Sequence, residues 1–229
     1  MKKHKWKKRS YRAEVLPAAQ TLRFTPSAWA KLEFFRDKGA SEIGGFGITS
    51  PEDRLLVVEF QTVKQKASGI SVGFDDEAVA DFFDSQADLG RKPDSYGRIW
   101  CHTHPGNSAS PSSVDQATFS RVFGCCEWAL MFILARGGSR YARLRFNVGP
   151  GGALQIPVSI DFKAPFQGSQ QEAWEAEYAA NIHAEIVQTF PGPAYPGTEW
   201  FDPDDYLDTL DPAAKGRTGL SWIDFKGGF

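Results

Sequence analysis

Apolar residues recur along this chain with two periods, and the switches between them mark out helices and strands. In "TPSAWAKLEFFRDKGASE", Trp29, Leu32 and Phe34/Phe35 repeat at helical spacing. Thr25 stands where an N-cap belongs, Pro26 occupies the first helical position and Gly39 stops the pattern, so a first helix is predicted. "EIGGFGIT" and "RLLVVEFQTV" then read as strands joined by the turn-prone "SPED", a hairpin. A second helix follows in "DDEAVADFFDSQADLG", with Val79, Phe82 and Phe83 as its stripe behind an acidic first turn. "SYGRIWCHTH" reads as a strand ended by Pro105, and "PSSVDQATFSRVF" as a third helix. "WALMFILA", "RYARLRFNV" and "GALQIPVSI" read as three more strands. In "SQQEAWEAEYAANIHAEIVQTF", Trp174, Tyr178, Ile182 and Ile186 fall at four-residue spacing, predicting one long amphipathic helix packed on the sheet.

The pattern lapses at both ends. Residues 1–19 open with "MKKHKWKKR", six Lys/Arg and no acid, and residues 191–229 turn to Pro, Gly, Asp and scattered aromatics. Residues 20–190 are therefore expected to form one α/β domain between a basic segment and an acidic tail. Its 41% hydrophobic and 14% aromatic content, with seven Trp and 18 Phe, suffices for a real core.

The net charge of -2 hides a polarity, since residues 161–211 hold eleven acids against one lysine. The basic head is read as a solvated arm or as a clamp on this acidic region, and a nucleic-acid role is not expected. No apolar run approaches the roughly 18 residues of a membrane span or forms a signal peptide, so a cytoplasmic location with no membrane partner is expected. The three cysteines form no CxxC pair and predict no disulfide framework. Cys125 and Cys126 have no histidine close in sequence and run into an apolar strand, which suggests core thiols. His183 lacks a second ligand at helical spacing and reads as a surface or packing histidine.

Chemistry concentrates in "WCHTHPGNSASPSSVDQ". On a strand, His102 and His104 face the same way and Cys101 the other. Pro105 ends the strand, and Ser112 is placed to cap a helix whose first turn holds Asp115, which can return over the sheet edge. Two imidazoles and one carboxylate leave a bound zinc with an open position, the catalytic type of site. Each piece also has an ordinary reading. His-x-His on a strand can be a satisfied polar pair, "SSVD" a plain capping box, Glu42 a surface carboxylate and Gly44 and Gly45 simple slack.

Taken together, His-x-His-Pro, a serine with seven residues between it and the second histidine, then two residues and an aspartate resemble the JAMM motif of the JAB/MPN metalloprotease family, and "SEIGGFGI" supplies that family's upstream glutamate as Glu42. The resemblance covers roughly residues 20–160 by order of elements. It implies a JAB/MPN (cytidine-deaminase-like) fold, a mixed β-sheet flanked by helices, and one zinc ion per chain held by His102, His104 and Asp115. Glu42 would be the general base, Ser112 an oxyanion donor, and Gly44 and Gly45 would let a substrate tail approach the backbone.

The implied reaction is cleavage after the extended C-terminal tail of a ubiquitin-like β-grasp modifier, with the modifier or its conjugates, and an E1-like activating enzyme, as partners. Short connections leave little room for the insertions that give some family members linkage selectivity. A peptidase trimming a sulfur-carrier protein, or a binding module that keeps fold and metal but recruits a modifier or its activating enzyme, are the alternatives. The terminal "FKGGF" carries a diglycine, but nothing before it reads as a β-grasp domain.

Overall fold

The computed structural model describes residues 20–164 and 168–185. The basic head, the acidic tail and the last residues of the long predicted helix lie outside them. The core element is an eight-stranded mixed sheet in the order β10-β1-β3-β2-β6-β7-β8-β9. Its strands are β1 (Leu22–Phe24), β2 (Gly44–Ser50), β3 (Asp53–Thr62), β6 (Ile99–His104), β7 (Trp128–Ala135), β8 (Arg140–Phe146), β9 (Gly152–Gln155) and β10 (Val158–Ile160). The edge strands β9 and β10 are separated in sequence only by Ile156 and Pro157, so the sheet curls until its edges approach. There the Ile156 amide donates to the Ala142 carbonyl at 3.0 Å.

Helices cover both faces. On one, α1 (Pro26–Lys38) and α5 (Gln171–Asn181) pack Trp29, Leu32, Phe35 and Trp174 over Phe24, Phe60, Cys101 and Phe132. On the other, α2 (Asp76–Asp88), the short α3 (Pro93–Tyr96) and α4 (Ser113–Phe123) pack Val79, Phe82, Tyr96 and Phe119 over Phe46, Trp100 and Met131. α1 starts as its sequence dictates, with the Thr25 hydroxyl accepting from the Ala28 amide at 3.3 Å and Pro26 in the first turn. α5 is fastened by charge. Buried Lys31 pairs with Glu59 at 2.9 Å and Glu177 at 2.7 Å, and Glu177 also accepts from the Thr62 amide and hydroxyl, both at 2.9 Å.

The fold departs from the periodic reading in several places. The long helix ends at Asn181, and Ile182–Ala184 instead form β11, parallel to β4 (Gln65–Ala67) in a small sheet β11-β4-β5 completed by Val72–Phe74. Ile182 is buried as its spacing demanded, but in extended backbone, because pairing with β4 satisfies amides that another helical turn would have used. "GALQIPVSI" is two strands. Pro157 has no amide to continue the ladder, so β9 pairs antiparallel with β8 and β10 pairs parallel with β1. Ser95 and Tyr96, read as the start of the histidine strand, belong to α3. The β2/β3 hairpin forms, with register shifts after Ile48. No helix among the described residues is long and apolar enough to cross a membrane.

Candidate metal centre

His102 and His104 end β6 on the face covered by α4, and Cys101 points into the α1 core. Asp115 arrives from the first turn of α4, positioned by a reciprocal capping box. The Asp115 amide donates to Ser112 Oγ at 3.1 Å, while the Ser112 amide and hydroxyl donate to Asp115 Oδ2 at 2.7 and 2.8 Å. The ligand-capable atoms of His102, His104 and Asp115 all lie within 4.8 Å of one another. Asp115 Oδ1 is 3.3 Å from His102 Nε2, and Oδ2 is 3.6 Å from His104 Nε2. Zinc with bonds of about 2.0–2.2 Å in tetrahedral geometry holds neighbouring ligand atoms roughly 3.4 Å apart, so these spacings suit it.

The state of the nitrogens sharpens the fit. His104 Nδ1 is 2.9 Å from the Ser108 carbonyl oxygen, which can only accept, so Nδ1 carries the proton and Nε2 presents its lone pair to the cluster. That Nε2 and both ring nitrogens of His102 are buried with no hydrogen-bond partner among the described residues. Buried polar atoms are nearly always satisfied, and leaving one unsatisfied costs about 1–3 kcal/mol. Trp100 stacks on His102 with ring centroids 4.3 Å apart, which fixes the imidazole and excludes water from that side.

Glu42 completes the group. It precedes β2, whose antiparallel register on β6 pairs Gly44 with His102 and, carried two residues past the ladder's end, sets residue 42 across from residue 104. Glu42 Oε1 is 3.8 Å from His104 Nε2, and its carboxyl is almost fully buried. Three partners hold its backbone. The Glu42 amide donates to the Ser68 carbonyl at 2.7 Å, the Ile43 amide to Thr103 Oγ1 at 3.1 Å and the Gly44 amide to Gln65 Oε1 at 2.8 Å. Gln65 Nε2 returns to the Gly44 carbonyl at 2.9 Å and to the Val63 carbonyl at 2.8 Å. Thr103, Gln65, Ser68 and Ser108 carried no signal in the sequence, since each acts through pairing between segments distant in the chain.

Electrostatics divides the carboxylates. Burial, reinforced by the charge of Asp115 and opposed by His104, pushes the Glu42 carboxyl up to about 7. Asp115 goes the other way. Burial acts against its charge, but both imidazoles and the Ser112 amide outweigh it and hold it well below the carboxylate range. Burial lowers His102; for His104, Asp115, the Ser108 carbonyl and Glu42 overcome burial and raise it.

The other expected site residues are explained by packing. A Cβ on Gly44 would meet the Phe74 ring at 2.7 Å, and one on Gly45 the Gln61 carbonyl oxygen at 2.4 Å. Their lack of a side chain is required by β5 and β3, and because β2 is paired on both sides, neither glycine offers a free strand edge. Ser112 gives its single hydroxyl proton to Asp115, so in this arrangement it supports a ligand rather than facing an empty acceptor site. His183 is exposed on β11, away from the cluster. Cys125 is not a core thiol, whereas Cys126 packs its partly buried side against the core under α4. They lie in the turn between α4 and β7, the first exposed and the second half-buried, because that turn reaches the surface before the apolar strand begins at Trp128. No protein-family model and no curated protein sequence matches the chain.

Proposed function

We propose that this chain is a zinc-dependent peptidase or isopeptidase of the JAB/MPN type, acting after the extended C-terminal tail of a ubiquitin-like β-grasp protein. One observation carries the reading. His102, His104 and Asp115 converge with unpartnered buried nitrogens, and Glu42, distant in sequence, reaches the same point across the β2/β6 register. A mixed, curled sheet with helices on both faces suits the JAB/MPN fold, and the motif resemblance supplies the substrate class.

The donor set fits zinc, two imidazoles and one carboxylate with room for a further ligand. A zinc ion bound there supplies Lewis acidity, polarising a carbonyl and making water nucleophilic near neutral pH. The rest of the chemistry belongs to side chains. With its carboxyl at about 7, Glu42 can both take a proton from the attacking water and return it to the leaving amine. The Ser112 pair of hydrogen bonds keeps Asp115 oriented while Ser108 keeps the His104 lone pair inward.

The test is purified protein with its metal content measured, assayed on a β-grasp modifier joined to a lysine side chain and on the same modifier extended by a linear peptide. Stoichiometric zinc with Glu42-dependent cleavage of either substrate supports the proposal. Protein that cannot be loaded with zinc, or that holds zinc and binds modifier without cleaving it, overturns it, the second outcome favouring a recruiting module.

A further inference from the structure

The turn linking α4 to β7 sets two thiols side by side, Cys125 exposed and Cys126 half-buried against the core, at the end of the molecule remote from the histidines. β6 and β7 run parallel, and Cys126 lies beside Arg98, immediately before β6, so the pair is about 20 Å from His104 at roughly 3.3 Å per strand residue. The turn is rigid. The Cys126 amide donates to the Phe123 carbonyl at 3.1 Å, and the Asn147 side-chain amide donates to the Gly124 carbonyl at 2.8 Å and the Cys126 carbonyl at 2.6 Å. The Asn147 amide closes the frame on the Glu127 carbonyl at 2.7 Å.

We propose that Cys125 and Cys126 form a chelating dithiol site, separate from the histidine cluster, for a thiophilic centre with two exchangeable positions, trivalent arsenic being the class it fits. Adjacent Cα atoms are about 3.8 Å apart, less than the roughly 4.4–6.8 Å that disulfides span, so direct S–S closure is strained and the thiols stay reduced. Bonds from sulfur to a large soft atom are longer, and a pyramidal centre needs its two sulfurs close together, as the interaction between the Cys125 and Cys126 thiols places them. A linear two-coordinate ion would need them on opposite sides. Burial pushes the Cys126 thiol up and the neighbouring Cys125 adds to this, while the nearby Arg98 guanidinium opposes both only in part, so a soft centre must displace the thiol proton as it binds. Cys101 does not compete, being wholly buried.

Phenylarsine oxide is the probe. Two As–S bonds form, the oxygen leaves as water with both thiol protons, and no oxidation state changes. Native mass spectrometry of the full chain should show a one-to-one adduct in which both Cys125 and Cys126 resist alkylation, reversed by ethanedithiol but not by excess monothiol. Because two tethered contacts reinforce each other, C125S and C126S should each weaken binding by about 100-fold or more. Zinc content of the histidine site should be unchanged in C125S and in the adduct. Binding that survives either single substitution, or thiols that stay alkylatable with the arsenical present, overturns the proposal.

Discussion

Cys101 and His102 are neighbours on β6 and equally excluded from solvent, yet they end in opposite kinds of interior. Cys101 enters a face closed by α1 and α5, among Leu, Ile and Phe side chains, and burial pushes its thiol up so that it stays neutral. His102 enters the face under α4 with both ring nitrogens unpartnered beside a carboxylate. The first face is complete as a folded structure. The second bears the free-energy cost of unsatisfied polar atoms, and a cation bound to the two Nε2 atoms would remove most of that cost, which is how a sheet with one continuous strand can be scaffold on one side and reagent on the other.

The largest effect should come from removing the imidazoles that could hold a metal on the second face. His102→Ala and His104→Ala should lose zinc and reduce cleavage to background, with the metal content read by elemental analysis. In the parent protein, free zinc at 100 times its Kd should add about 2.7 kcal/mol of stability, seen as a rise in Tm, and His104→Ala should show no such rise. An unshifted Tm in the parent would erase the contrast between the faces.

Next in size is Glu42→Gln, expected to retain zinc while turnover falls by about 100-fold or more. The same substitution has a second signature in metal-free protein. Folding raises the Glu42 carboxyl from its ordinary 4.5 to about 7, so the folded state disfavours the charged form. Below pH 4.5 the group is neutral in both states and costs nothing. Between 4.5 and 7 the unfolded chain ionises first and stability declines, and above 7 the penalty is complete. Glu42→Gln should therefore stabilise metal-free protein at pH 8, by on the order of 2 kcal/mol, and leave it unchanged at pH 4. Equal shifts at both pH values would mean that ionisation of Glu42 is not what destabilises the parent.

What the sequence disclosed follows the same division. Helix starts at Thr25 and Ser112 and the alternation of Cys101 with His102 depend on near neighbours, and local spacing reveals them. The group that could hold a metal was legible for the same reason, since the segment from His102 to Asp115 is a strand, a turn and a cap in succession. Pairings between distant segments were not. Periodicity carried α5 past Asn181 because an Ile at position 182 satisfies a helix stripe and a strand equally, and only β4 decides between them. Gln65 and Thr103 are polar residues in short strands with no pattern of their own, and their role exists only once three segments meet at Glu42.

That meeting can be loosened without touching any reacting group. Gln65→Leu and Thr103→Val remove the acceptors for the Gly44 and Ile43 amides, letting the Glu42 backbone drift. Displacements near 1 Å can cost up to about 100-fold, and partial loosening should lower kcat by about 10-fold with KM and zinc content unchanged. Thr103→Ser keeps the acceptor oxygen and should restore most of the loss. If Thr103→Ser is as impaired as Thr103→Val, keeping the acceptor oxygen does not hold the Ile43 amide in place, and the positioning role fails.

The smallest effect on activity is expected one residue away, on the closed face. Cys101→Ser replaces a sulfur among apolar side chains, 3.3 Å from where a Cβ on Gly47 would sit, with a hydroxyl of smaller volume. The core cluster it belongs to is apolar, so burying a hydroxyl there should cost about 1–3 kcal/mol in chemical denaturation. Cys101→Ala introduces no polar group and should cost less. Here no ion can offset the penalty, so added zinc should raise the stability of Cys101→Ser by the same increment as the parent, with kcat and metal content unaltered. If Cys101→Ser instead loses zinc or turnover while remaining folded, the two faces of β6 are coupled, and the division between a self-sufficient side and a ligand-completed side does not hold.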